Sequence, residues 1–99
     1  MTSFQDHLNE DLRLCLLRIL AEAPGLKANA SILQDMANAL GHHVTREQVV
    51  QALGYLATLQ AVSTEQIGPV LVAELRANGE NHLKRLGAPL PGVKLPSLG

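Results

Sequence analysis

Apolar residues recur at helical spacing in the middle of the chain, where residues 29–60 predict two helices joined by a tight turn. The first of these helices has apolar positions three or four residues apart, at Leu33, Met36, Ala37 and Leu40. Asn29 precedes it as an N-terminal cap, and Gly41 follows it as the left-handed residue that commonly ends a helix. One face of this helix is therefore predicted to be buried.

The second helix of the pair is predicted to begin at Arg46. Thr45 and Gln48 fit the capping-box pattern, in which each side chain accepts a hydrogen bond from the other residue's backbone N–H. The buried stripe is predicted at Val49, Ala52, Leu53, Leu56 and Ala57. The outward face then carries Glu47, Gln48, Gln51, Tyr55 and Thr58. Recognition residues of helix-turn-helix proteins lie on this second helix.

A β-hairpin is predicted directly after the paired helices. Residues 61–65 and 70–75 have extended character, the second segment with more β-branched residues, and residues 66–69 join them. The bridge between the helices, residues 42–44, is longer than the turn of the simplest helix-turn-helix units. Val44 in this bridge is therefore predicted to be a one-residue strand that pairs with the hairpin.

The first helix is predicted to run from a cap at Ser3 and Asp6 to about Glu22, before Pro24. One apolar stripe comprises Leu8, Leu12, Cys15, Leu16, Ile19 and Leu20. A second stripe points the other way and comprises Leu14, Leu17 and Ala21. A helix that is apolar on two sides needs neighbours on two sides. The second neighbour is expected to be another copy of the chain, which makes these three residues a candidate homodimer interface, or the folded-back C-terminal tail.

The C-terminal part is predicted to contain one more helix, residues 77–86, with Leu83 and Leu86 inward and Gly87 as its stop. Prolines in residues 88–99 predict an extended tail, and two alternatives stay open for it: a wrap over a partner's surface or a disordered end. Residues 1–87 then form one domain. Its predicted fold is mainly α with a small β-hairpin, the winged helix-turn-helix order α-α-α-β-β-α.

Composition narrows the range of partners and locations. The 99 residues are enough for one domain, and nine Asp and Glu against eight Lys and Arg give a net charge of −1, a weak electrostatic basis for binding phosphates. The single Cys15 cannot form an internal disulfide, and no apolar run is long enough to cross a bilayer. We therefore expect a cytoplasmic protein with no membrane partner.

No group of residues predicts catalysis or a metal centre. The carboxylates of the first helix have arginines within two turns, which indicates surface pairing rather than acid–base chemistry. His42 and His43 are adjacent in a turn and have no second ligand pair at zinc-binding spacing. We expect no enzyme activity, no metal and no cofactor.

The chain as a whole resembles small proteins encoded by Mu-like transposable phages and prophages. The resemblance rests on Asn-Glu-Asp-Leu-Arg at 9–13, Gly-His-His-Val-Thr-Arg-Glu-Gln-Val at 41–49 and Pro-Gly-Val-Lys-Leu-Pro at 91–96. Those proteins are often labelled winged-helix or ArsR-like regulators, so the resemblance implies the winged-helix fold and a phage origin. It does not imply a response to metals, because the residues that a metal sensor requires are missing.

These observations predict a phage-type transcriptional regulator that binds duplex DNA as a homodimer. The candidate DNA-binding residues on the second central helix are Arg46, Glu47, Gln48, Gln51, Tyr55 and Thr58. Lys27 and Arg76 are expected to add positive charge from neighbouring segments. The alternative is a winged helix that binds a phage or host protein during phage development or packaging. That alternative predicts an exposed apolar patch around Tyr55, Leu59 or Ile67.

Overall fold

Helices and a small antiparallel sheet alternate along residues 2–97, the part of the chain that the computed structural model describes. The elements are α1 (Phe4–Glu22), a 3-10 turn (Pro24–Leu26), β1 (Lys27–Asn29), α2 (Ala30–Ala39), α3 (Arg46–Thr58), β2 (Val62–Ile67), β3 (Val70–Leu75) and α4 (Ala77–Leu83). Four helices and a hairpin are thus present in the predicted order. This order is compatible with a winged-helix plan.

The limits of α1 follow from local side-chain chemistry. Ser3 Oγ accepts a hydrogen bond from the Asp6 backbone N–H at 3.1 Å, and the Asp6 carboxylate accepts one from the Ser3 N–H at 3.2 Å. This capping box satisfies donors that no helical carbonyl can reach. The helix ends before Pro24, and Gly25 takes a φ of 67° in the turn that leads into β1.

The sheet has the order β1-β3-β2, with β3 in the centre and both neighbours antiparallel to it. Ala28 of β1 lies opposite Ala73, while Val62 and Ile67 at the ends of β2 lie opposite Leu75 and Val70. The prediction of a one-residue strand at Val44 is wrong. The Asn38 side chain accepts a hydrogen bond from the Val44 N–H and donates one to the Val44 carbonyl. The Val44 backbone therefore pairs with this side chain and not with a strand. The third strand is β1 instead.

Leucines from both sides of α1 form the centre of the core. Leu14 and Leu17 are 2% and 0% exposed, so they are not available for the homodimer interface that the sequence predicted. Both sides of α1 are buried within the chain, where α1 contacts α2, α3, α4 and β3. Ala21, the third predicted interface residue, is exposed.

Burial was also wrongly predicted near the ends of three helices. Leu8 of α1 was assigned to the first apolar stripe, but it is 39% exposed. Met36 and Leu40 of α2 were predicted to be inward, but they are 46% and 65% exposed, and the buried residues of α2 are Ala30, Leu33 and Ala37. Leu86 is 56% exposed because α4 ends at Leu83 and Arg85 takes a left-handed φ of 56°. Each helix therefore buries a narrower stripe than its apolar sequence indicates.

The C-terminal tail packs on its own chain as far as residue 97, through its backbone more than its side chains. The Lys94 N–H donates to the Glu10 carbonyl of α1 at 3.2 Å, and the Val93 side chain is 6% exposed within the core. Residues 98 and 99, the end of the predicted extended tail, lie outside the described residues.

His82 of α4 holds this tail in place. The imidazole is 2% exposed, its Nδ1 accepts from the Leu90 N–H at 3.0 Å, and its Nε2 lies 2.9 Å from the Lys94 carbonyl. A nitrogen that accepts from an N–H carries no proton, so Nε2 is the protonated nitrogen and donates to Lys94. One neutral tautomer therefore satisfies two backbone groups of the tail.

Within residues 2–97, none of the helices has both the length and the apolar character needed to cross a bilayer. The longest, α1, carries the carboxylate and guanidinium side chains described above.

Candidate nucleic-acid interface

The turn between α2 and α3 is fixed by amide side chains. Asn38 accepts from the Val44 N–H at 2.9 Å and donates to the Val44 carbonyl at 3.2 Å, and Gln34 donates to the same carbonyl at 3.2 Å. Gly41 takes a φ of 105°, a left-handed conformation that favours glycine. The predicted capping box then begins α3, with Thr45 Oγ1 and Gln48 Oε1 accepting each other's backbone N–H groups.

Arg46 braces the two helices against each other. Its Nε donates to Gln34 Oε1 at 3.1 Å, and one terminal nitrogen donates to Ser31 Oγ at 3.0 Å, so the guanidinium spans from α3 to α2. Both partners are neutral, and the side chain remains exposed. Arg46 therefore links α3 to α2 while it keeps its positive charge at the surface.

A continuous exposed stripe runs along α3. Its residues are Glu47, Val50, Gln51, Gly54 and Thr58, which are spaced three or four positions apart. The opposite side of α3 carries the predicted buried residues Val49, Ala52, Leu53 and Leu56, of which Ala52 is the most exposed at 6%. The stripe offers a carboxylate, a carboxamide and a hydroxyl, interrupted by one small apolar side chain and one glycine.

Tyr55 does not belong to the exposed stripe, which corrects the prediction from the sequence. Its hydroxyl donates to the Pro91 carbonyl at 2.8 Å, and its ring lies 3.9 Å from the guanidinium carbon of Arg13. Arg13 in turn donates to the Gly92 carbonyl at 2.8 Å. Tyr55 thus joins α3 to α1 and the tail. Its aromatic ring is committed to intramolecular contacts, which leaves no exposed ring on this face.

The two predicted cations outside α3 differ in their surroundings. The Lys27 ammonium lies 3.9 Å from the Glu74 carboxylate across β1 and β3, so its charge is partly offset. Arg76 is exposed, and its backbone N–H donates to the Ala61 carbonyl, three residues beyond Thr58. Arg46 and Arg76 therefore lie near opposite ends of α3, which spans roughly 20 Å.

Most positive side chains of the described residues are engaged within the fold. Lys84 pairs with Glu80, Lys94 with Asp11, and Arg85 donates to the Pro96 carbonyl. Among residues 2–97, Arg18 and Arg76 are the cations with neither an ion pair nor a side-chain hydrogen bond. The face around α3 therefore has a low density of positive charge.

Comparison with known proteins shows the origin of this chain. It is 38% identical over 91 residues to the uncharacterized protein gp26 of Escherichia phage Mu, and the match covers 92% of this chain and 93% of gp26. The chain belongs to the Mu gp26 family. An uncharacterized protein of Haemophilus influenzae is 35% identical over 65 residues, which cover 66% of this chain and 63% of that protein. No family model and no solved structure matches the chain.

The predicted phage origin is thereby confirmed for this gp26-family chain, whereas the ArsR-like label and any regulatory role stay predictions. The predicted absence of a metal site in this chain stays a prediction. Within residues 2–97, no three His, Cys, Asp or Glu side chains come together as a possible ligand group. His42 Nε2 instead lies 3.2 Å from the Asp11 carboxylate, which ties the α2–α3 turn to α1.

Two residues of the exposed stripe on α3, Val50 and Gly54, were not predicted from the sequence. The sequence assigned Val50 to neither face of the helix, and it is 38% exposed. Gly54 has open space where a Cβ would lie. Spacing alone would have identified both, since they lie three and seven residues after Glu47 on the same helical face.

Proposed function

We propose that this gp26-family protein is a winged helix-turn-helix protein that binds duplex DNA through α3 and acts as a transcriptional regulator. The sheet order β1-β3-β2, with α2 and α3 inserted between β1 and β2, supports the winged-helix assignment. In this assignment α3 is the recognition helix and the β2–β3 hairpin is the wing. The observation that carries the proposal is the exposed stripe on α3, held in place by Arg46 and the Asn38–Val44 hydrogen bonds.

The chemistry of the stripe suits base edges in a major groove. A carboxamide such as that of Gln51 can pair with the N6 and N7 atoms of adenine, and the Glu47 carboxylate can accept from the cytosine amino group. The Val50 side chain offers an apolar contact for a thymine methyl group. At Gly54 the helix backbone has no side chain to keep a phosphate or a sugar at a distance.

The positions of the cations suit phosphates at the two ends of α3. Arg46 lies at its first residue and Arg76 beside its last turn, so both could contact phosphates while the stripe occupies the groove. A homodimer would double these contacts. Because few cations are free, we expect binding to weaken with salt less steeply than for strongly basic regulators.

Fluorescence anisotropy with random duplex DNA, at low and at moderate salt, tests this proposal. The wild-type protein should bind at low salt. Arg76→Ala should weaken binding to all sequences alike and reduce the salt slope by about one, as expected when one phosphate contact is lost. Gln51→Glu should weaken binding because it adds negative charge to the stripe. Asn81→Asp, which adds the same charge to the exposed surface of α4, is the matched control and should bind as the wild type does.

Absence of binding at low salt would refute the proposal, and equal effects of Gln51→Glu and Asn81→Asp would remove α3 as the DNA-binding element.

A second candidate function, the protein-binding winged helix, is favoured by one observation. Exposed apolar residues are concentrated on α2 rather than on α3, as Ile32, Met36 and Leu40 are 50%, 46% and 65% exposed. The sequence predicted a patch around Tyr55, Leu59 or Ile67. Tyr55 and Leu59 are half-buried, whereas Ile67 is 55% exposed on the hairpin.

A further inference from the structure

The outer face of α2 is apolar and uncovered. Ile32, Met36 and Leu40 lie four residues apart and thus stack on one side of the helix, and each is about half exposed or more. Monomeric proteins rarely expose such a row, because a contiguous apolar patch loses free energy to water. Leu33 and Ala37, on a neighbouring side of the helix, are the residues through which α2 packs on the core of its own chain.

This face continues onto α1 across a groove. The groove has a volume of about 560 Å³ and is lined by residues of α1, α2 and the C-terminal region, among them Ile19, Ala21, Met36, Leu40, Leu83 and Pro96. Ala21 is exposed and small, so another helix can approach α1 closely at this point. A surface with an apolar row beside an open groove can insert the side chains of the row into a partner and can accept the partner's side chains in the groove.

The charged residues beside the groove, one positive and one negative, can pair with the same two residues of another copy. Arg18 and Glu22 lie one helical turn apart on α1, flank Ala21 and line the same groove. Both are exposed, and neither forms an ion pair within residues 2–97. If two α1 helices cross in antiparallel orientation beside Ala21, with the two-fold axis midway between Arg18 and Glu22, each Arg18 lies opposite the partner's Glu22. A surface that presents both signs in this arrangement matches a second copy of itself.

We propose that a second copy of this chain packs on the face formed by Ile32, Met36, Leu40, Ala21, Arg18 and Glu22, hereafter the α1/α2 face, to form a two-fold homodimer. Met36 and Leu40 of each copy enter the groove of the other, and the two Arg18–Glu22 pairs border them. This inference deepens the homodimer part of the proposed function and replaces Leu14 and Leu17 as interface residues. It does not depend on DNA binding by α3.

Sedimentation equilibrium over a wide range of protein concentration, without DNA, tests the interface. The wild-type protein should approach twice the 10.6 kDa mass of the chain. Met36→Glu with Leu40→Glu should weaken dimerisation roughly a hundredfold, because two apolar side chains lose their burial. Circular dichroism should show that this variant stays folded, as both positions are exposed. Ile67→Glu with Val70→Glu, at exposed positions of the hairpin, is the control and should dimerise normally.

A charge exchange distinguishes a second copy from any other occupant. Arg18→Glu should weaken the dimer roughly three- to tenfold, since two ion pairs become repulsive. Adding Glu22→Arg should restore dimerisation. Each pair across the interface then again joins a positive and a negative side chain, with the two charges exchanged between positions 18 and 22. A monomeric wild type, or a dimer that is unaffected by Met36→Glu with Leu40→Glu, overturns the inference. Either result would leave the anisotropy test of α3 intact, so the two proposals can fail separately.

Discussion

The hydroxyl of Tyr55 donates a hydrogen bond of 2.8 Å to the backbone carbonyl of Pro91, 36 residues further along the chain. Through this bond a side chain of the candidate recognition helix anchors the C-terminal tail. The Arg13 guanidinium covers the other side of the contact, since it lies over the Tyr55 ring and donates to the Gly92 carbonyl. The tail is thereby part of the support for α3.

Tyr55→Phe should lower the free energy of unfolding by about 1 kcal/mol, the usual net contribution of one hydrogen bond. The ring and its contact with Arg13 are retained, so the loss is confined to the bond with Pro91. Urea denaturation measures the change, and anisotropy with duplex DNA provides the contrast. Reduced DNA binding with unaltered stability would instead make the hydroxyl a contact to DNA, as the sequence predicted.

Two glycines in helices should respond to alanine in opposite directions. A Cβ at Gly79 would collide with the Ala61 carbonyl oxygen and press on Leu75, so Gly79→Ala should destabilise the protein by roughly 1–3 kcal/mol. Gly54 has nothing near the same position, and Gly54→Ala should stabilise α3 by about 0.5–1 kcal/mol. Thermal unfolding of both variants is the measurement. A stabilised Gly79→Ala variant would show that α4 packs less closely on the hairpin than described.

His82→Leu should destabilise the protein by roughly 2–4 kcal/mol, because the Leu90 N–H and the Lys94 carbonyl both lose their partner at a buried site. Limited proteolysis should also cut the tail faster in this variant. His43 is exposed on the α2–α3 turn, so His43→Leu serves as the control and should change neither property. Equal protease resistance of the two variants would argue against His82 as the anchor of the tail.

Cys15 should react slowly with thiol reagents in the folded protein. Burial raises the pKa of its thiol above the ordinary value of 9.0, the nearby Asp11 carboxylate adds to the rise, and Arg18 opposes it. Only the thiolate is reactive, so at pH 8 we expect a slower rate in the folded protein than in the urea-unfolded chain. Comparable rates in the two states would show that Cys15 is freely accessible.

The same raised pKa has a consequence for stability, with a definite sign. As pH rises, the unfolded chain releases the Cys15 proton before the folded protein does. The contribution of the thiol is therefore fully present below about pH 9 and is lost as pH rises through the folded pKa. Urea denaturation should show a smaller loss of stability at high pH for Cys15→Ala than for the wild type.

Helix starts and the hairpin could be predicted from the sequence because their determinants are local. The caps at Ser3 and Thr45 act within four residues, and the buried stripe of α3 follows from spacing alone. β1 was missed because a strand of three residues has no measurable periodicity. It exists because β3 offers an edge, which is a property of the folded sheet.

The candidate site was predictable only in part, for a different physical reason. Periodicity marks an apolar face but does not show whether the chain has enough surface to cover it, so Met36 and Leu40 were assigned to the core and Leu14 and Leu17 to an interface. The structure reverses both assignments. Tyr55 was placed on the exposed face because its acceptor, Pro91, belongs to a distant segment that no local pattern connects to α3.

The docking of the tail also imposes an order on biosynthesis. Gly92 lies 79 positions after Arg13, to which its carbonyl is bound. At a translation rate of about 5–20 residues per second, α1 leaves the ribosome several seconds before the segment that completes its surroundings. During this interval a nascent chain carries a leucine-rich helix without its final cover. Messages that end early or ribosomes that stall before residue 92 would therefore release a chain that chaperones and proteases recognise as incomplete.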